Sequence, residues 1–212
     1  MSKEAKIISG VGVVFFALFA FLIYKTSNGP QVIADPNLLI GQRSYMTGKK
    51  EAKVNIVEFG DYQCPACAYA STIVRQLVEA YKNNPDVNFV YRHFPLPQHS
   101  GAMISAEAAE AAGVQGKFWE MHDMLYERQG EWSGNPKALE IFVGYAQKLG
   151  LDVKAFTDSI NQNKFQDVII KDRSDGQALG INSTPTFFIN GEKAKNIPSF
   201  EEFKKIIDSK LQ

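Results

Sequence analysis

The chain has only two cysteines in 212 residues, three histidines and no excess of either charge, with 23 Lys and Arg against 23 Asp and Glu. So few cysteines exclude a miniature scaffold stapled by disulfides. The charge balance turns slightly acidic once Lys3, Lys6, Lys25 and Glu4 are set aside, so the basic footprint that phosphate backbones require is missing. Nucleic acid is not an expected partner. Internal repeats and low-complexity tracts are missing too, and no nucleotide, flavin, haem or other cofactor site is visible. What is present is a core-forming composition, 45% hydrophobic and 12% aromatic, long enough for one domain and an appendage.

The appendage is N-terminal. Ile7 to Tyr24 is an 18-residue stretch without a charge, flanked by Lys3 and Lys6 before it and Lys25 after it. As a helix it would span roughly 27 Å, close to the ~30 Å hydrocarbon core of a bilayer. A secretory h-region runs only about 7–15 residues and ends near a small-x-small site, whereas Val32-Ile33-Ala34 lies well beyond this stretch. A retained membrane anchor over 1–26 is therefore expected ahead of a cleaved signal. Either one exports the rest, and the retained anchor gives a single-pass protein of the cell membrane with an extracytoplasmic domain. In an oxidising space exposed cysteines pair by default. Residues 27–38, with Asn28-Gly29-Pro30 and Asp35-Pro36-Asn37, read as a linker.

Val54 to Phe59 is a short apolar run typical of a buried strand. After Cys64-Pro65 a helical pattern runs to Tyr81, and Val87 to Phe94 reads as a second strand. This is a βαβ unit over 39–99, which favours parallel pairing. Residues 100–180 are almost wholly helical in pattern, with one helix starting at Asn135-Pro136 in cap-then-proline order and another capped by Asp152. Over 181–212 strand returns: Thr186 to Ile189, an Asn190-Gly191 hairpin turn, a partner over Glu192 to Lys195, and a helix capped by Ser199 with Glu202 in a capping box. The fold class is α/β, one sheet completed by a βαβ half and a ββα half with a helical insert between them.

The chemistry gathers at Cys64-Pro65-Ala66-Cys67. Pro65 suits the first helical position, which makes Cys64 the N-cap and places Cys67 on the same face three residues on. An N-cap side chain is expected to accept from the free amides of Ala66 and Cys67, and the helix dipole adds partial positive charge there. Both favour a Cys64 thiolate, the form that attacks disulfides, and leave Cys67 as the buried resolving thiol. Glu58, inside the apolar strand, is costly unless paired or protonated, and a raised pKa would suit a proton shuttle for Cys67; the plainer reading takes it to solvent at the strand end. Pro185, in Ser183-Thr184-Pro185-Thr186, is either a trans strand-initiating proline, as base rates favour, or a cis one. A structural staple is disfavoured because so small a loop closes little entropy. Half a zinc site with two of His93, His99 and His122 is disfavoured by their spacing, so no metal is expected. Trp119, Trp132 and His122 read as packing.

Phe59-Gly60-Asp61-Tyr62-Gln63-Cys64-Pro65-Ala66-Cys67, the helical insert and Ser183-Thr184-Pro185-Thr186-Phe187 together resemble the DsbA-like family of extracytoplasmic thiol-disulfide oxidoreductases. The likeness extends from about Asn37 to the end, through Tyr91 to Leu96 and Gly116 to His122, and is greatest to the membrane-anchored proteins of Gram-positive bacteria. It implies a thioredoxin fold with a helical insertion, preceded by a transmembrane helix. It also implies a redox-active Cys64–Cys67 disulfide with Cys64 the nucleophile, Glu58 at the buried acidic position, and a cis Pro185 against the disulfide. Substrate would lie along the Thr184 backbone and over Pro65 and Ala66. The implied partners are exported proteins with cysteine thiols and a membrane quinone-linked, DsbB-like reoxidant. Ala66 departs from the family's enteric oxidases, which carry histidine there, so a tethered reductase or isomerase competes with an oxidase. A non-catalytic peptide-binding module is the rival from another class.

Overall fold

The computed structural model describes residues 18–19, 33–41 and 43–212. The expected anchor lies outside the described residues apart from Leu18 and Phe19. Among the described residues no helix is long and apolar enough to cross a membrane. Residues 33–212 form a unit of their own.

Its centre is β2 (Val54–Gly60), a seven-residue run in which all but Asn55 are buried. It pairs in parallel with β3 (Val87–His93), in the register Glu58 opposite Tyr91. The connection is α2 (Pro65–Tyr81), which turns Ala70, Ile73, Val74 and Leu77 inward at helical spacing. On the other side of β2 lies antiparallel β4 (Thr186–Ile189), then β5 (Glu192–Lys193). Asn190 and Gly191 carry the positive φ angles of 49° and 85° that a tight hairpin of this hand requires. β5 stops two residues before the expected Lys195, although Ala194 still donates to Phe187.

Two features escaped the sequence. β1 (Tyr45–Met46) closes the far edge antiparallel to β3, so the strand order is β1-β3-β2-β4-β5. Two residues carry too little periodicity to be seen. In addition, α1 (Pro36–Leu39) lies inside the segment read as linker. Asp35 caps it, Leu39 is buried and Ala34 donates to Gly191, so this stretch is docked rather than free.

Between β3 and β4 stand six helices: α3 (Ala102–Gly113), α4 (Phe118–Glu127), α5 (Gln129–Trp132), α6 (Ala138–Lys148), α7 (Val153–Asn161) and α8 (Gln166–Ala178). The start at Asn135-Pro136 is corrected: Asn135 accepts from Lys137 and Ala138 in a turn, and α6 begins at Ala138 with Lys137 as its N-cap. Asp152 does cap α7 through Ala155, and α9 (Phe200–Leu211) has the full Ser199–Glu202 capping box. Strand alternation divides the core. Val54, Ile56 and Cys67 pack with α9 and most of the insert, while Val57, Phe59 and Phe188 pack with Leu39, Phe94 and Ile181.

Candidate active site

Cys64 is the N-cap of α2 and Pro65 its first helical residue. The turn that presents Cys64 is tied down from three directions. Asp61, buried at 2% exposure, accepts from the Gln63 amide at 2.8 Å, the Leu96 amide at 2.9 Å and His99 Nδ1 at 2.7 Å. Gln63 in turn accepts from the Gly101 amide, and Gln129 of the insert donates to the carbonyls of Tyr62 and Cys64 at 2.7 and 3.1 Å. Neither Asp61 nor Gln129 was singled out from the sequence. Asp61, three residues before the cysteine, carried a readable signal as a turn residue; Gln129 arrives from a distant helix and carried none.

Cys64 and Cys67 are both free thiols and both buried. The Cys64 Sγ lies 3.4 Å from the Thr184 carbonyl, and the Thr184–Pro185 bond is cis, as the resemblance implied. Pro65 and Ala66 are exposed beside it, whereas Thr184 and Pro185 are half-buried. The Cys64 thiol is pulled down to about 5. The Cys67 thiol that donates to it contributes most; burial opposes, and Thr184 and the amides of Cys67 and Ala66 follow. The amides of Ala66 and Cys67 act in the expected direction but are secondary: the partner sulfur leads, and no side-chain capping bond forms at Cys64.

Cys67 behaves oppositely. Burial, the bond to Cys64 and the charge of Glu58 push it well above an ordinary thiol. Glu58 is 1% exposed with Oε1 unpartnered, so it does not reach solvent. Burial first, then the Cys64 charge, raises it to about 8. The three histidines each take a separate partner: His93 meets Glu110, His99 meets Asp61 and His122 meets Tyr62. Trp132 is fully buried and donates to the Leu125 carbonyl.

A βαβ-insert-ββα sheet with a dithiol at the first turn of α2 and a cis proline facing it defines a class of protein, the thiol-disulfide exchangers of thioredoxin fold. Comparison with known proteins agrees. A family model described as thioredoxin matches residues 42–209. BdbD from Bacillus subtilis, in its oxidised form, is similar with a TM-score of 0.71 at 26% identity, covering 79% of this chain and 92% of that one. A thioredoxin-like oxidoreductase from Silicibacter pomeroyi DSS-3 gives 0.69 at 29% identity, covering 83% and 97%. A relative named Na(+)/H(+) antiporter NhaA 1, from Salinispora arenicola, is 38% identical over 168 residues, which are 79% of this chain and 24% of the relative. The chain thus spans about a quarter of the length of the curated relatives it matches, and that name describes the whole relative. The chain belongs to the thioredoxin family.

Proposed function

We propose that the protein is a dithiol oxidase that introduces disulfides into exported proteins. The observation that carries this is the split between the two sulfurs, one held as thiolate and the other as thiol. Stabilising the Cys64 thiolate stabilises the reduced enzyme, so its disulfide is the stronger oxidant. Lowering a thiol from 9 to about 5 makes the couple more oxidising at pH 7 by on the order of 50 mV, trimmed by the solvent that reaches the sulfur.

In the proposed reaction a substrate thiolate attacks Cys64 Sγ of the oxidised pair, and the Cys64–Cys67 bond breaks. Cys67 leaves as a thiolate and takes the proton of Glu58. A second substrate thiolate then attacks the substrate sulfur of the mixed disulfide, and Cys64 departs as its stabilised thiolate. Two electrons pass from the substrate dithiol to the enzyme. The Thr184 backbone, next to Cys64 Sγ, pairs with an extended substrate segment, and Pro65 and Ala66 lie beneath it. The uncharged stretch over Ile7 to Tyr24 supports tethering in the membrane with the domain outside the cytoplasm. Reoxidation there calls for a membrane partner of the quinone-linked, DsbB-like kind.

Equilibration with a glutathione buffer tests the reading. A potential near ~ −120 mV supports an oxidase, whereas one near ~ −270 mV makes the protein a reductase. Cys67→Ala should accumulate mixed disulfides through Cys64 on non-reducing gels, and a lane without them removes the exchange mechanism.

A further inference from the structure

Seven tyrosines lie among the described residues, and six of them engage their hydroxyls inside the fold. Tyr45 meets Glu110, Tyr62 meets His122, Tyr81 meets Asp208, Tyr145 meets Glu131, and Tyr91 and Tyr126 meet each other over Gly60. Tyr69 is the exception. Its hydroxyl makes no hydrogen bond among the described residues, and the side chain is 64% exposed. Within residues 33–212 it is the one aromatic residue left facing water.

Its place on α2 ties it to the reacting sulfur. Tyr69 follows Pro65 by four residues and Ala66 by three, the spacings that bring helical side chains about 5–6 Å apart on one face. Helical side chains lean toward the N-terminus of their helix, so a residue at 69 serves the surface of the first turn. Pro65 and Ala66 are themselves exposed there, and Cys64 caps that turn. Five residues of helix rise about 7.5 Å. An extended chain advances about 3.3 Å per residue, so some two residues of a substrate match that rise.

The charge pattern points the same way. The solvent side of a helix is where charged residues normally stand. Although 22% of the chain is charged, Gln63 to Val74 contains no charge, and the exposed stripe of Pro65, Tyr69, Thr72 and Gln76 has none. The first charge on α2 is Arg75, which pairs with Glu127. This face is therefore suited to a neutral partner, and thiol exchange supplies one occupant. While its sulfur is joined to Cys64, a substrate chain must lie against this turn.

We propose that Tyr69 is a specificity-determining residue whose ring receives an apolar side chain, aliphatic or aromatic, about two residues from the reacting cysteine of the substrate polypeptide. The proposal rests on the thiol-exchange reading and names the substrate class of that site. The Thr184 carbonyl beside Cys64 Sγ offers main-chain contact, which any sequence can make. Tyr69 supplies the preference among sequences that such contact lacks, and its free hydroxyl keeps the outer edge of the ring solvated when substrate is away.

The test uses oxidised full-length protein and single-cysteine peptides with leucine, phenylalanine or serine two positions before or after the cysteine. The rate of reduction by each peptide is divided by the rate with dithiothreitol in the same protein, which cancels changes at the sulfurs themselves. Covering roughly 40 Å² of apolar surface in the transition state corresponds to about fivefold. In one of the two series the leucine and phenylalanine peptides should therefore outrun the serine peptide about fivefold. Tyr69→Ser should abolish that preference by slowing the apolar peptides, and Tyr69→Phe should restore it, because the ring carries it. A preference that survives Tyr69→Ser overturns the proposal, and so does a wild-type protein with none. Peptide and dithiothreitol rates that fall together in Tyr69→Ser also overturn it, since the residue then only supports the turn. The two levels fail separately. A protein disulfide that dithiothreitol reduces no faster than glutathione disulfide sinks the exchange reading, whereas fast reduction with peptide rates indifferent to residue 69 sinks only the specificity role.

Discussion

Glu58 and Cys64 make opposite demands on the fold. A carboxyl raised from 4.5 to about 8 binds more protons folded than unfolded between those values, so the protein loses stability as pH rises through that window. Below pH 4.5 the cost is absent, and at pH 7 it amounts to roughly 3 kcal/mol. Glu58→Leu, which removes the buried charge and its unpartnered oxygen, should therefore stabilise the reduced protein by a few kcal/mol near pH 7 and by little at pH 4. Urea titrations at the two pH values check this. Cys64 has the reverse sign, because a thiol lowered to about 5 adds stability to the reduced form as pH climbs from 5 toward 9. Its thiolate absorbance, titrated in the ultraviolet, should fall away around pH 5. One buried acid thus lowers stability in order to manage a proton, while its neighbour makes the reduced state the favoured one.

Elements around the site are held by their ends rather than by intrinsic helix strength. α2 begins on a cysteine that makes no capping bond, and the turn before it relies on Asp61, Gln63 and Gln129. α9 is closed instead by a complete capping box, in which Ser199 and Glu202 satisfy each other's amides. Ser199→Ala should lower stability by about 1 kcal/mol, seen as a shift in the urea midpoint with unchanged slope. The thiol chemistry should be little changed, because the Ser199 side chain bonds only Glu202 and α9 meets α2 at its far end, where the Tyr81 hydroxyl donates to Asp208. These caps were readable because their signals are local. The six-residue path from Asp61 to Ala66 was readable for the same reason, whereas the α5 contact that steadies it was not.

At the scale of the whole domain the insert is bound to the sheet by Arg92. Its side chain is fully buried, with Nε 2.7 Å from Asp172, Nη2 2.8 Å from Asp175 and Nη1 donating to the carbonyls of Leu38 and Leu39. One guanidinium so joins β3, α8 and α1. Arg92→Leu strands two buried carboxylates and should cost about 3–5 kcal/mol, measured as a lower urea midpoint. Gly176 on α8 lets that helix reach the sheet, since a Cβ there would come 2.7 Å from Phe94. None of this was visible along the chain, because an arginine in an apolar strand and two aspartates 80 and 83 positions later have no shared pattern. Apart from β1 and α1, the order of strands and helices, the dithiol at the head of α2, and the burial of Glu58 between Val57 and Phe59 were legible, because each is written in neighbours within a few residues. Only folding decided that Thr184 stands beside Cys64, that the Tyr91 and Tyr126 hydroxyls stand over Gly60, and that the Cys67 sulfur outweighs the helix amides. Those facts depend on distances between segments far apart in the chain, and such distances exist only once the sheet and insert have closed on each other.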